Sequence, residues 1–188
     1  EVNEFNKTIN ELGQILANLS VEEFANLKIT QDFSREDFMM EVLSKISVLP
    51  NLERQKIYDY FGFEIHHDKN TKTGYSVTGY PLNGKNEEKL ALIKNEDTRC
   101  ILEEVRPLVV RFSENNHINV NNPQVEVLLN KIIEVLPELR TTIGRIQHGT
   151  HEFDVMQHSL KVMQKISQSA EFDALNESDK KIILLASL

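Results

Sequence analysis

The sequence of 188 residues contains no tryptophan, a single cysteine, Cys100, and no apolar run long enough to cross a bilayer. One cysteine cannot form an internal disulfide, and this usage favours a reducing compartment, so we expect a cytoplasmic protein. A membrane-spanning helix needs about 20 apolar residues in succession. Neither such a run nor a basic-then-apolar signal segment is visible, so we expect no membrane association.

Positive charge is also scarce. Lysine and arginine number 21 against 29 acidic residues, which gives a net charge of −8. Binding to a nucleic-acid backbone depends on clustered lysines and arginines, and no basic run occurs. The sequence therefore carries no strong nucleic-acid signal. Its 40% hydrophobic and 27% charged residues are typical of a folded globular protein.

Apolar residues recur at three- and four-residue steps along most of the chain, which predicts helices. Polar residues at the start of each stripe can accept hydrogen bonds from the free backbone N–H groups of a first helical turn. The residues predicted to cap helices in this way are Ser20 with Glu23, Ser34, Asn95, Asn122 and Asp154. Pro107 lies inside one helical stripe and is predicted to kink or divide it.

The pattern changes from helical to alternating between residues 63 and 80, which predicts one small β-hairpin and no other β structure. The expected fold is therefore mainly α. The polar run Ser113–Asn122 predicts a boundary between two domains. These would be a helical N-terminal region with the hairpin, residues 1–115, and a second helical domain, residues 118–188.

Three of the six histidines lie close together in the second domain, at His148, His151 and His158. His158 is predicted near the inward face of the helix that Asp154 caps, a position that would hold an imidazole rigidly for a metal. On spacing alone, a hydrogen-bonded core histidine is the commoner explanation. A mononuclear metal site needs three or four converging ligands, and the spacing does not complete such a set.

The run LPELRTTIGRIQHGTHEFDVMQHSLKVM, followed by LNESDKKIILLASL, resembles the opening of an HD-type metal-dependent phosphohydrolase domain. It is more closely similar to the HD-like region of the CCA-adding and poly(A) polymerase nucleotidyltransferases. That pattern has a Pro-Glu-Leu turn, a Gln, and His-x-x-Asp-Val-x-x-His-Ser/Thr-Leu, and then an apolar helix ending in His-Asp. The matching residues are Pro137, Glu138, Leu139, Gln147, His151, Asp154, Val155, His158, Ser159 and Leu160.

The resemblance implies that His158 is the first metal ligand, and that His151 and Asp154 support the site or cap the helix. The family's other ligands, a His-Asp pair and a distant Asp, do not occur before Leu188. The resemblance therefore implies a divalent metal in a longer, bacterial-type parent protein, with no tight binding by this fragment. The parent would hydrolyse a small phosphorylated or nucleotide substrate, and the fragment itself is expected to be inactive.

An alternative hypothesis is a non-catalytic helical interaction or regulatory module, in which the histidine stretch serves packing. The chain stops at Leu188 within an apolar helical pattern, so self-association through the exposed face of that last helix is also expected. Cys100 is interpreted as a buried packing residue rather than a nucleophile. Nucleotidyl transfer is not expected, because neither a Gly-Ser loop nor an Asp-x-Asp pair is present.

Overall fold

The computed structural model describes residues 2–79, 86–114, 116–147 and 149–188, and this part of the chain is mainly α. The helices are α1 Val2–Asn18, α2 Val21–Ala25, α3 Arg35–Ile46, α4 Asn51–Phe61, α5 Glu87–Leu90, α6 Glu96–Ser113, α7 Pro123–Val135, the 3-10 helix Pro137–Thr142, α8 Val155–Ser167, α9 Ala170–Asp173 and α10 Glu177–Ala186. The strands are β1 Ile29–Gln31, β2 Glu64–His67, β3 Tyr75–Thr78 and β4 Ile118–Val120. The predicted fold class is confirmed.

The helix starts agree with the capping residues predicted from the sequence. Ser20 Oγ accepts the backbone N–H of Glu23 at 3.0 Å, and the Glu23 carboxylate accepts the backbone N–H of Ser20 at 2.7 Å. Ser34, Asn95 and Asn122 accept backbone N–H groups at the starts of α3, α6 and α7. These starts were predictable because a cap bonds within three residues of itself.

The predicted hairpin is formed by β2 and β3, which pair antiparallel from Glu64 opposite Thr78 to His67 opposite Tyr75. The predicted end of the second strand, Tyr80, lies outside the described residues. The register places side chains of β2 alternately on opposite faces of a two-stranded ribbon.

A second sheet contradicts the expectation that the hairpin is the only β structure. β1 pairs antiparallel with β4, from Ile29 opposite Val120 to Gln31 opposite Ile118. Each strand has three residues, which is too short for an alternating pattern to stand out. The two strands also lie far apart in sequence, so only tertiary structure brings them together.

The chain divides into two compact units. We call Glu1–Asp32 with His117–Leu188 the discontinuous unit, and Phe33–Asn116 the inserted unit. The predicted domains, 1–115 and 118–188, differ from these units in the placement of the first 32 residues. In the discontinuous unit, α1 contacts α7, α8 and α10, so the first helix belongs with the last ones.

The core of the discontinuous unit surrounds α1. Ile9, Leu12 and Leu16 are fully buried there against apolar side chains of α7, α8 and α10. Val127 and Val135 belong to the apolar residues of α7 but are 55% and 57% exposed. The buried face of α7 is a different stripe, formed by Val125, Leu128, Leu129, Ile132 and Ile133.

The core of the inserted unit is rich in aromatic residues. The rings of Phe38 and Phe112 stack with their centroids 4.6 Å apart, and Phe33 and Phe63 pack edge-on against Phe38. Tyr58, Tyr60 and Phe61 are buried as well. The aromatic residues near the hairpin therefore form part of this core.

Pro107 does not divide α6, which runs unbroken from Glu96 to Ser113. Proline removes the hydrogen bond to the carbonyl four residues earlier, here that of Glu103. Both residues are exposed, so water can satisfy that carbonyl, and Leu102 and Val105 still bury the opposite face. Helix α6 therefore continues through Pro107 without the predicted break.

The packing predicted for Cys100 in the inserted unit is wrong. Cys100 is exposed rather than buried, because it lies on the side of α6 opposite the stripe of Thr98, Leu102 and Val105. Leu52, a large apolar residue of the same unit, is 81% exposed. It lies in the first turn of α4, whose buried residues begin at Ile57.

Asn116 joins the two ends of the inserted unit. Its side chain is 1% exposed. The Oδ1 atom accepts the backbone N–H of Phe33 at 2.6 Å, and Nδ2 donates to the carbonyl of Phe33 at 2.5 Å. One amide side chain therefore satisfies both buried backbone groups at the start of the unit.

Asn116→Ala should destabilise the inserted unit by about 2 to 4 kcal/mol, because two buried backbone groups of Phe33 would lose their partner. All four tyrosines lie between residues 58 and 80 and the chain has no tryptophan, so tyrosine fluorescence during urea unfolding reports this unit. Gln55→Ala is the matched control in the same unit: its exposed amide donates to Asp59 at 2.9 Å, and the loss should stay below about 0.5 kcal/mol. Equal midpoints for the two variants would contradict the assigned role of Asn116.

Burial raises the pKa of Tyr58 to about 12 from 10.0. The folded unit therefore holds this proton more tightly than the unfolded chain, and its contribution to stability is complete below pH 10 and is lost as pH rises towards 12. We expect urea midpoints, followed by far-UV circular dichroism, to fall over this interval and to fall less in Tyr58→Phe. Tyr75→Phe, at a more exposed tyrosine, should follow the wild-type profile. A Tyr58→Phe profile that matches wild type would refute the assignment.

Candidate functional site

The histidine stretch is built around Asp154, the N-cap of α8. Its Oδ1 atom accepts the backbone N–H of Gln157 at 2.8 Å, and Oδ2 accepts the backbone N–H of Gly144 at 2.9 Å. The Val155 N–H donates to the carbonyl of Arg145 at 3.0 Å. The carboxylate thus ties the helix start to the preceding loop, which confirms the capping role predicted for Asp154.

The loop before Asp154 turns sharply at two glycines. Gly144 has φ of 69° and Gly149 has φ of 92°, a backbone region that other residues adopt only with strain. The Gln147 Nε2 atom donates to the carbonyl of Asp154 at 3.3 Å, which adds a second tie between loop and helix. His148, one of the three clustered histidines of the sequence, lies outside the described residues.

His151 and His158 lie side by side. Their ring centroids are 5.7 Å apart and their planes are nearly perpendicular, at 89°. Both side chains are exposed, so the prediction that His158 lies near the inward face is wrong. The buried face of α8 is formed by Met156, Leu160, Met163 and Gln164, and His158 falls outside that stripe.

This pair can supply two nitrogen ligands to one metal ion. Zinc–imidazole bonds measure about 2.0–2.1 Å, so two rings on one ion have centres roughly 5 to 6 Å apart. Each carboxylate oxygen of Asp154 accepts one backbone N–H group, so the structure shows this side chain as a helix cap. Across the described residues, no group of three or more His, Cys, Asp or Glu side chains could hold a metal. The described part of the histidine stretch therefore brings two imidazoles together, and a catalytic zinc site usually has three protein ligands.

The other adjacent histidines, His66 and His67, do not converge. His66 Nε2 lies 2.8 Å from Thr78 Oγ1, whereas the ring of His67 packs against Tyr75 at a centroid distance of 4.6 Å. Both are exposed on strand β2, so the structure shows them as solvated strand histidines.

Sequence reasoning missed an apolar groove in the discontinuous unit. It is a shallow space of about 560 Å³ lined by the ends of α1, α7 and α10, with the apolar side chains Val2, Phe5, Val135 and Leu185 flanked by Lys131 and Lys181. The signal that could have revealed it is the mixed surface of α7, whose pattern contains more apolar residues than one buried stripe needs.

Comparison with protein-family models, with curated proteins and with solved structures found no match to this chain. None of the helices in the described residues is long and apolar enough to cross a bilayer.

Asp154→Ala should weaken the start of α8 by about 1 to 2 kcal/mol, because the helix loses its cap. The local measurement is hydrogen exchange at the Gln157 amide, which should become faster, together with a lower urea midpoint for the discontinuous unit. Asp173→Ala removes an exposed carboxylate of the same unit, and its effect should stay within about 0.5 kcal/mol. Unchanged exchange at Gln157 would show that Asp154 does not hold this turn.

Proposed function

We propose that residues 137–188 form the opening part of an HD-type metal-dependent phosphohydrolase domain in a longer, bacterial-type cytoplasmic protein. The parent would hydrolyse a small phosphate ester or nucleotide. The observation that carries the proposal is the pairing of His151 with His158 at 5.7 Å beside the cap formed by Asp154. The cytoplasmic location is supported by the single cysteine, Cys100.

The pairing supports the proposal because it joins residues that carry the family resemblance into one local structure. His151, Asp154 and His158 match the His-x-x-Asp-Val-x-x-His pattern in sequence. A chance match would not require the outer two residues of the pattern to meet. Here the capped helix start and the glycine turn bring the two imidazoles together on an exposed surface.

In the proposed parent, His158 would be the first metal ligand and Asp154 would hold the turn that positions it. A bound divalent ion lowers the pKa of a coordinated water and offsets the negative charge of a phosphate. The described residues bring only two imidazoles to this place, so we propose that the 188-residue chain is itself inactive. Further ligands would come from the parent protein.

The alternative function, a helical interaction or regulatory module, is favoured by a different observation. The groove between α1, α7 and α10 exposes apolar side chains, and Ile182 on α10 is 56% exposed. Contiguous exposed apolar surface is typical of sites that bind other proteins. The same surface supports the proposed self-association through the last helix.

The proposed function is tested by reading the coding sequence beyond Leu188 and by measuring phosphodiesterase activity. If the coding sequence runs past Leu188 into a His-Asp pair, the full protein should hydrolyse bis(p-nitrophenyl) phosphate with Mn²⁺, Ni²⁺ or Co²⁺, and the 188-residue chain should not. His158→Ala in the full protein should lower turnover at least about 100-fold, because loss of a ligand impairs metal binding more than loss of its supporting contacts.

His66→Ala is the control and should leave turnover unchanged. Hydrolysis by the 188-residue chain that is lost in His158→Ala would overturn the inactivity of this chain. A natural protein that lacks the His-Asp pair, or whose turnover does not depend on His158, would favour the interaction module instead.

A further inference from the structure

We infer that His151 and His158 together bind one divalent transition-metal ion in this chain, so that His151 is a metal ligand and not only a supporting residue. The inference deepens the proposed function and rests on its assignment of His158 to the metal. It adds the second ligand, the class of ion, and binding that needs no other part of a parent protein.

The backbone segments that carry the two imidazoles are tied together before any ion arrives. His158 lies in the first turn of α8, where its backbone N–H donates to the carbonyl of Asp154 at 2.9 Å. His151 lies on the loop that Asp154 ties to Gly144, and Gln147 adds its bond from the same loop. An ion that joins the two rings therefore bridges two segments that are already fastened to each other, and a preformed site loses less conformational freedom on binding.

The ring arrangement suits a shared ion. A centroid distance of 5.7 Å lies in the range of about 5 to 6 Å expected for two imidazoles on one ion with bonds of about 2.0–2.1 Å. Both side chains are exposed, so an ion can reach the pair without movement of the fold. Water would fill the remaining coordination positions, and the ion would exchange readily.

The ligand chemistry selects the class of ion. Imidazole nitrogen suits Zn²⁺, Ni²⁺, Cu²⁺ and Co²⁺, whereas Mg²⁺ and Ca²⁺ prefer oxygen ligands. In the described residues, no group of three or more His, Cys, Asp or Glu side chains adds carboxylate oxygens to this pair. The chain's net charge of −8 also favours the approach of a cation. We therefore expect binding of Ni²⁺ and Zn²⁺ and none of Mg²⁺.

Untagged ¹⁵N-labelled chain should be titrated with NiCl₂ and observed by NMR, since paramagnetic Ni²⁺ broadens amide signals near its site. Broadening at substoichiometric Ni²⁺ should centre on residues 151–158 and should be absent with MgCl₂. Calorimetry with ZnCl₂ should give one site, with affinity lowered at least about 10-fold in His151→Ala and in His158→Ala. His66→Ala removes an exposed histidine of the inserted unit and should leave this site unchanged.

The two single variants separate this inference from the proposed function. Loss of binding in His158→Ala with full binding in His151→Ala would overturn the inference and leave His158 as a ligand. Unchanged binding in both variants, or no ion bound by the wild-type chain, would overturn the inference and remove the structural support for His158 as a ligand. Both histidines are exposed, so the variants should fold, and wild-type amide spectra away from residues 151–158 would verify this.

Discussion

Burial of the apolar stripe of α1 is the constraint on which the discontinuous unit depends. Ile9, Leu12 and Leu16 are completely excluded from solvent, and their partners come from helices near the other end of the chain. Gly13 permits the close approach: a Cβ atom there would lie 2.9 Å from Ser167 Oγ. The first helix is therefore an organising part of the unit that carries the histidine pair.

The packing of α1 against α8 also orients α8 and so decides which side chains of α8 face the solvent. Gln164, which is buried, donates from Nε2 to the carbonyl of Leu16 at 2.7 Å, and Gln157 Nε2 donates to the carbonyl of Leu27 at 2.8 Å. Apolar packing and these two side-chain bonds fix the rotation of the helix about its axis. His158 is left on the exposed surface, where it meets His151. The candidate site is thus a consequence of how α8 packs, and an accessible imidazole pair suits ion binding better than the inward position expected from periodicity.

Prediction from sequence succeeded where the governing interaction is local. Asp154 was identified as a cap because its partner, Gln157, lies three residues away. Prediction failed at the sheet of β1 and β4, whose pairing is not local. It also failed at Cys100, because an apolar residue type does not reveal which side of an amphipathic helix packs. For the site, the motif resemblance predicted roles for His151 and His158. The spacing of the two residues in sequence could not show that their rings lie side by side.

The sequence by itself determined the mainly α class, the helix starts and the hairpin, because hydrogen bonds between near neighbours and the period of apolar residues specify these features. Only the tertiary structure decided that residues 1–32 join residues 117–188, and that the imidazoles of His151 and His158 meet on an exposed surface. The physical reason is that burial depends on which surfaces meet. A stripe of apolar residues predicts that a helix packs against another element. Long-range packing decides which element this is and the rotation at which the helices meet.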